Sequence, residues 1–364
     1  MRVLPVWFDS LGAKSMCVLV RTPDLSLLID PGAAVMQPSY PAPDELKVYY
    51  LELAREAIVN AAAEASHVVI THYHYDHFSP ERLELFAGKT LWIKDPNQWI
   101  NRSQWNRGRA FLAGLARQAG LRFCERPPGR EEYPDPVERL TLAARGPRRQ
   151  DLIDKWRKRF LRLVSLWRTG NWVDEERLGA RITFADGRRF RIGNTIVRFS
   201  TPMFHGVEYA STGWVLGVIV EHGGKKFLYS SDLQGPALED YAAWIISEGP
   251  DVLVLDGPAT YLLGPFQSKA NLARAIRNCV KTVHDTNAGL TILDHHLTRE
   301  ANFRNKTQQA FSAGAMTAAA VLGRGPLVER LIHWRDEGKL EKVLEAARKK
   351  TLDRDLLERH EYQA

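Results

Sequence analysis

The chain has 364 residues, of which 45% are hydrophobic and 26% are charged, and three are cysteines. This length and composition are those of a globular protein with a large core in one or two domains. The sequence has no apolar run long enough for a transmembrane helix, and its N-terminus lacks a secretion signal. Three well-separated cysteines argue against a disulfide framework and against a cysteine-ligated zinc. We therefore expect a cytoplasmic protein with no membrane association.

The positive charge of the chain is concentrated in one segment. The formal net charge is +7, and residues 101–200 hold 23 Lys and Arg against 11 Asp and Glu. Such a segment on a near-neutral body would attract nucleic acid or phosphorylated ligands. The alternative, which the sequence favours, is a solvated arginine-rich surface.

The N-terminal part of the chain shows strand patterns followed by a long helix. Short runs rich in Val, Leu and Ile predict strands over residues 2–8, 15–22 and 25–30. Apolar residues at helical spacing predict a helix over 44–65. Residues 67–71 then predict a buried strand, and a group of histidines follows it directly.

Residues 101–180 predict an arginine-rich, mostly helical insertion. Its clearest helix has apolar residues three and four positions apart, at Ile153, Trp156, Phe160, Leu163, Val164 and Trp167. Strand patterns resume over 181–230, with a turn signal at Asp186-Gly187, and strands and helices alternate afterwards. We predict one domain over 1–326, interrupted by this insertion, and a helical C-terminal tail over 327–364.

Four potential metal ligands lie directly after the strand at 67–71. They are His72, His74, Asp76 and His77. Packed imidazoles repel one another when protonated and need partners when neutral and buried. A divalent cation resolves both problems, because neutral imidazole and carboxylate are good ligands for zinc. The cluster therefore predicts a metal site.

The HxHxDH pattern after an apolar strand resembles the metallo-β-lactamase fold superfamily, and the other motifs of that superfamily follow in order. They are Asp30 before Pro31-Gly32, His205 in Thr201–Gly206, Asp232 in Tyr229–Asp232, and His295 or His296 in Ile292–Leu297. The resemblance implies an α+β fold, namely a four-layer αββα sandwich with the metals at one edge. The helical insertion and the helical tail are additions to that fold.

A second set of motifs narrows the resemblance. Asp256-Gly257-Pro258, Thr260-Tyr261-Leu262 and Asp294–Leu297 resemble an uncharacterised, largely archaeal branch of predicted metal-dependent hydrolases in the same superfamily. Tyr261 is predicted either to line the pocket or to pack in the core.

The resemblance implies two metal sites. The first would be formed by His72, His74 and His205, and the second by Asp76, His77 and His295. Asp232 would bridge the two sites, and Asp30 would support them from behind. Two divalent ions are implied, with zinc favoured and iron or manganese also acceptable to this ligand set.

The tandem His295-His296 leaves the last ligand open. We favour His295, because the last histidine of the superfamily usually ends the strand directly. His296 is then a candidate proton donor or substrate contact, and Asp76 is a candidate to orient or deprotonate the nucleophile.

These features predict a binuclear hydrolase in which a metal-bridging hydroxide attacks an ester, lactone or phosphodiester, possible activities being those of a lactonase or a phosphodiesterase. One alternative is a nuclease that holds RNA or DNA through the basic insertion, where Trp and Arg interleave at Trp99, Arg102, Trp105, Arg107 and Arg109. Tryptophans packed in the core are the favoured interpretation of that stretch. The other alternative is a non-hydrolytic metal- or redox-binding protein, and the oligomeric state stays open.

Overall fold

Two seven-stranded sheets form the centre of the molecule in the computed structural model, which describes residues 1–143, 147–264, 266–358 and 361–364. In chain order the strands are β1 (Arg2–Phe8), β2 (Met16–Arg21), β3 (Ser26–Ile29), β4 (His67–Ile70), β5 (Thr90–Ile93), β6 (Glu125–Arg126), β7 (Trp172–Val173), β8 (Ile182–Phe184), β9 (Arg189–Ile192), β10 (Thr195–Phe199), β11 (Met203–Phe204), β12 (Trp214–Val215), β13 (Val218–His222), β14 (Lys225–Tyr229), β15 (Val252–Asp256), β16 (Leu290–Asp294), β17 (Ala315–Met316) and β18 (Tyr362–Gln363). The first sheet has the order β18-β1-β2-β3-β4-β5-β8 and the second the order β17-β16-β15-β14-β13-β10-β9. Residues 144–146 of the predicted insertion and 359–360 of the predicted tail lie outside the described residues.

The helices cover the outer faces of the sheets. They are α1 (Asp44–Glu64), α2 (Arg102–Gln118), α3 (Pro147–Thr169), α4 (Glu239–Glu248), α5 (Lys269–Thr286), α6 (Phe303–Lys306), α7 (Gln308–Ser312), α8 (Ala318–Val321), α9 (Leu327–Asp336) and α10 (Leu340–Arg348). Helix α1 contacts β1 and β3, and α4 contacts α5. Within the described ranges, none of these helices combines the length and the hydropathy needed to cross a membrane.

Side chains of the strands alternate between two apolar layers. In β2, Met16, Val18 and Val20 pack in the layer between the sheets, whereas Cys17 and Leu19 pack in the layer shared with the helices. Both faces of the strands are buried, because successive side chains of a strand point to opposite sides of the sheet. The predicted α+β sandwich with helices outside two facing sheets is confirmed.

The chain departs from the expected pattern at two points. The turn at Asp186-Gly187 joins the two sheets, because β8 pairs with β5 in the first sheet and β9 pairs with β10 in the second. The tail contains α9 and α10 as predicted but ends in β18, which pairs antiparallel with β1. This two-residue edge strand has no periodic pattern by which it could have been predicted.

The parallel strands determine where polar residues meet. Strands β3, β4 and β5 run parallel in the first sheet, and β14, β15 and β16 run parallel in the second. The carboxyl ends of parallel strands lie at one edge of their sheet. The predicted metal ligands after β4, β14 and β16 all follow such ends.

The tryptophans of the basic segment belong to the core. Trp105 and Trp167 are buried, and Trp167 donates a hydrogen bond from Nε1 to the Ile100 carbonyl (3.0 Å). The ring of Trp99 contacts those of Phe160 and Trp167. These tryptophans are therefore not free to stack on nucleic-acid bases, which corrects the stacking alternative. The boundaries of the insertion remain a prediction.

This packing predicts that α3 is needed for the stability of the body. Trp167→Ala should lower the free energy of unfolding by about 3–5 kcal/mol, because it leaves a cavity and an unpaired carbonyl. Leu161→Ala on the same helix, where the side chain is 53% exposed, should change it by less than about 0.5 kcal/mol. Urea unfolding followed by far-ultraviolet circular dichroism measures both. Equal effects of the two variants would contradict the packing.

Candidate metal centre

Loops from both sheets bring the predicted ligands together at one edge of the sandwich. The HxHxDH loop follows β4, His205 follows β11, Asp232 follows β14 and His295 follows β16. The side chains of His72, His77 and His295 are fully buried. His74 and Asp76 are partly exposed, so the cluster opens to solvent on their side.

The first group of ligands is His72, His74, His205 and Asp232, whose ligand atoms all lie within 4.8 Å of one another. His72 Nε2 lies 3.1 Å from His74 Nδ1. Asp232 Oδ2 lies 3.1 Å from His205 Nε2 and 3.4 Å from His72 Nε2. The set matches the first site that the sequence predicted.

The second group is Asp76, His77 and His295, again with ligand atoms within 4.8 Å of one another. His77 Nε2 lies 3.3 Å from His295 Nε2, which lies 3.9 Å from Asp76 Oδ2. The other oxygen of Asp232, Oδ1, lies 3.1 Å from His77 Nε2 and 3.4 Å from His295 Nε2. Asp232 therefore directs one oxygen to each group.

The bonding of Asp232 tests whether the site suits cations. Its side chain is 1% exposed, and neither carboxylate oxygen has a hydrogen-bond partner within the described part of the chain. A buried carboxylate whose oxygens accept no hydrogen bond is costly even with imidazoles 3.1–3.4 Å away, and the imidazole nitrogens around it also face one another. Divalent cations bound by these nitrogens and oxygens would remove both costs, so the donor set fits them.

Without a bound cation, the pKa values of neighbouring histidines in the cluster are shifted in opposite directions. Burial, reinforced by the charge of His77, lowers the pKa of His72 to about 4. Burial also opposes the charging of His77, but the carboxylates of Asp232 and Asp30 outweigh it and raise the pKa of His77 to about 10. A cation that binds His77 must displace this proton, because only the neutral imidazole is a ligand.

Three carboxylates outside the ligand set hold the imidazole rings. Asp30 Oδ2 accepts from His77 Nδ1 (2.8 Å), Asp9 Oδ1 from His295 Nδ1 (3.0 Å), and Asp256 Oδ1 from His296 Nδ1 (2.9 Å). A carboxylate on Nδ1 fixes the ring and leaves Nε2 for other partners, as behind many metal-bound histidines.

Asp30 is the most heavily bonded of the three. It also accepts hydrogen bonds from the Thr71 amide (2.7 Å), the Thr71 hydroxyl (2.6 Å) and the Tyr229 hydroxyl (2.8 Å). Its φ of 50° lies in the left-handed region that L-residues rarely adopt. The supporting position predicted for Asp30 agrees with these contacts.

The two adjacent histidines have different surroundings. His295 directs Nε2 to Asp232 and His77, whereas His296 is bonded to Asp256 and its ring stacks parallel to that of Tyr261 at 6.5 Å. Tyr261 is half-buried beside the site, which agrees with a lining position more than with a core position.

Sequence reasoning missed Asp9, Gln104 and Arg299. Gln104 Nε2 lies 3.3 Å from His74 Nε2, and Arg299 donates to Asp9, Tyr261 and Asp76. The sequence offered weak signals. Asp9 directly follows a strand, and Arg299 lies four residues after His295, at helical spacing.

Comparison with known proteins agrees with this geometry. A model of the metallo-beta-lactamase superfamily matches residues 12–79. The UPF0282 protein of Methanopyrus kandleri is 33% identical over 353 residues, covering 93% of this chain and 98% of that protein. The UPF0282 protein of Korarchaeum cryptofilum is 32% identical over 332 residues, covering 91% and 90%.

Solved structures are similar at lower identity. The metallo-beta-lactamase fold protein YhfI of Bacillus subtilis is 14% identical with a TM-score of 0.40, covering 87% of this chain and 95% of that chain. The isothiocyanate hydrolase of Delia radicum gut bacteria is 12% identical with a TM-score of 0.41 and the same coverage. The fold is that of the metallo-beta-lactamase superfamily. Within it, the chain belongs to the UPF0282 family, and the predicted resemblance to an archaeal branch is confirmed.

Close backbone contact at Gly32 predicts a sensitive position. A Cβ on Gly32 would lie 2.2 Å from the Phe78 amide nitrogen and 2.5 Å from the His77 carbonyl carbon. Gly32→Ala should therefore displace the His77 loop, lower the free energy of unfolding by about 2–3 kcal/mol and reduce metal content.

Gly289→Ala is the matched control, because its nearest contact, Asp251 O at 3.5 Å, is ordinary. That variant should be neutral or more stable by less than about 1 kcal/mol. Thermal melting and elemental analysis of both variants measure the effects. Normal metal content and stability in Gly32→Ala would show that the loops do not need the close backbone contact between Gly32 and the His77 loop.

Proposed function

We propose that this chain is a binuclear metal-dependent hydrolase that cleaves an ester, a lactone or a phosphodiester. The observation that carries the proposal is the position of Asp232, whose two oxygens face two groups of three ligands and lack hydrogen-bond partners among the described residues. His72, His74 and His205 would hold one cation, and Asp76, His77 and His295 the other. Zinc suits this ligand set, and iron or manganese is also acceptable.

Asp76 and His296 would transfer protons during the reaction. When bound, the cations would lower the pKa of a water molecule into the neutral range and polarise the bond under attack. Asp76 stands at the open side of the cluster, where its carboxylate orients that water and accepts its proton. His296 is held by Asp256 through Nδ1, so Nε2 would first have to take up a proton, such as the one that Asp76 removes from the water, before it could give one to the leaving group.

Removing Asp232 tests this proposal. Asp232→Ala should lower bound metal from about two ions per chain to one or none and reduce hydrolysis of bis(p-nitrophenyl) phosphate and of a lactone by at least about 10³-fold. Elemental analysis and steady-state assays measure both. Asp285→Ala removes an exposed carboxylate on α5 and should leave both unchanged.

Two results would contradict the proposal. The first is an Asp232→Ala variant with normal metal content and activity. The second is a wild-type chain, prepared without chelator, that takes up no zinc, manganese or iron and hydrolyses neither substrate. Bound iron with oxidase activity but no hydrolysis would instead favour the non-hydrolytic metal- or redox-binding alternative.

A second candidate function is a nuclease, supported by the position of the basic helix α3. Lys155, Lys158 and Arg162 are exposed on α3. On the same helix, Arg159 donates a hydrogen bond to the Tyr209 carbonyl (2.9 Å), in the loop that begins with His205. A nucleic-acid backbone held along α3 would thus pass close to the ligand cluster.

Neutralising this face tests the nuclease. Changing Lys155, Lys158 and Arg162 together to Gln should weaken binding of single-stranded RNA and reduce the slope of log K against log salt by about two to three. A control triple variant at the exposed residues Lys342, Lys349 and Lys350 should not change the slope. Fluorescence anisotropy measures binding. Failure of the wild-type protein to bind at about 50 mM salt would argue against the nuclease.

A further inference from the structure

A buried arginine adjoins the second group of ligands. Arg299 ends the short helix His295–Arg299 and is 5% exposed. Its guanidinium donates to Asp9 through Nε, to the Tyr261 hydroxyl through Nη1 (3.1 Å) and to Asp76 Oδ2 through Nη2 (3.3 Å). The guanidinium thus reaches the open side of the cluster, where Asp76 is partly exposed.

A second cationic residue lies in the turn before β2. Lys14 is partly buried, and the next residue, Ser15, donates from its amide to Asp9 Oδ1 (2.9 Å) and has its carbonyl 3.0 Å from His295 Nδ1. The charges of Arg299, Asp76 and Asp9 act on the Lys14 ammonium. Burial and the charge of Arg299 lower the pKa of Lys14. With the residues that the structure describes, this ammonium makes neither a hydrogen bond nor an ion pair, so its donors are available to a ligand.

Metal binding would free a further donor on Arg299. Nη2 of Arg299 lies 3.3 Å from His295 Nε2. A nitrogen lone pair that binds a cation cannot also accept a hydrogen bond, so this N–H group loses its acceptor when His295 is a ligand. A substrate oxygen beside Asp76 would then be its nearest available partner.

The balance of charge favours an anion. Five carboxylates lie in or behind the ligand set, at Asp9, Asp30, Asp76, Asp232 and Asp256. They would outweigh two divalent cations by one negative charge, whereas Lys14 and Arg299 together turn this balance into one net positive charge. A loaded site would therefore attract a negatively charged group and disfavour a neutral one.

We propose that Lys14 and Arg299 form an anion-binding subsite beside Asp76, and that the substrate carries a carboxylate or phosphate group close to the bond that is broken. This inference rests on the proposed hydrolase function and adds the chemical class of its substrate. Arg299 donates N–H groups in a fixed plane, whereas Lys14 supplies a mobile ammonium. Lys14 sets the affinity for charged substrates without contacting a ligand residue by hydrogen bond.

Paired substrates whose members differ by methylation of one anionic oxygen test the subsite. The carboxylate pair is p-nitrophenyl hydrogen succinate and its methyl ester, and the phosphate pair is methyl p-nitrophenyl phosphate and dimethyl p-nitrophenyl phosphate. For the zinc-loaded wild-type chain, kcat/KM divided by the uncatalysed rate constant of the same substrate should be at least about tenfold higher for the charged member of one pair, and that pair identifies the group.

The variant Lys14→Gln isolates the ammonium. It should raise KM for the preferred charged substrate about tenfold and change the values for its neutral partner by less than about twofold. Lys342→Gln removes the same charge from the exposed face of α10 and should change neither. A KM for both charged substrates that stays within twofold in Lys14→Gln would overturn the proposal. So would an equal loss of kcat for charged and neutral substrates, which indicates a structural role.

A calorimetric titration separates failure of the subsite from failure of the proposed function. If the wild-type chain hydrolyses none of the four substrates, the hydrolase proposal fails, but the subsite can still be tested with inorganic phosphate. The wild-type chain should bind phosphate about tenfold more tightly than Lys14→Gln, with Lys342→Gln like wild type. Equal affinities in all three proteins would overturn the subsite.

Discussion

The carboxylate of Asp232 lies buried between imidazole nitrogens that approach it from both sides, and neither of its oxygens is hydrogen-bonded within the described part of the chain. Burying a carboxylate that accepts no hydrogen bond is costly, the contact with His77 offsets only part of that cost, and the nitrogen–nitrogen contacts around it add to it. The cluster therefore needs rigid support. Asp9, Asp30 and Asp256 provide it by holding three rings through Nδ1.

Supporting the rings in this way strains the backbone at the edge of the sheets. Asp30, Ser231 and His295 have φ angles of 50°, 54° and 51°. Each such residue costs about 1–2 kcal/mol, which the hydrogen bonds of Asp30 and Asp294 help to offset. Asp294 Oδ1 accepts from the amides of Ser10 and His295, and Oδ2 accepts from the amide of Ala318. The strain thus falls where several loops must converge, which is common at functional sites.

The sequence predicted what is encoded locally. The HxHxDH loop directly follows its strand, so four ligands were visible as one motif, and period-two apolar patterns predicted most of the strands. Residues that act through distant contacts were not visible. Asp9 and His295 are 286 positions apart, and no local pattern links them. The edge strand β18 was not predicted for a similar reason. A two-residue strand is defined by its pairing with β1 and is too short to show a periodicity of its own.

Lys14 and Arg299 show why the substrate is harder to predict than the fold. The strands and ligands follow from rules shared across a superfamily, whereas selectivity depends on the few charges at the open side of the cluster. The guanidinium of Arg299 donates hydrogen bonds both to Asp9, which holds His295, and to Asp76. It also donates to the hydroxyl of Tyr261, whose ring stacks on that of His296. A change at Arg299 would therefore alter ligand geometry and charge together. Lys14 makes no such bond to the ligands, so its substitution can change the charge at the opening while leaving the ligands in place.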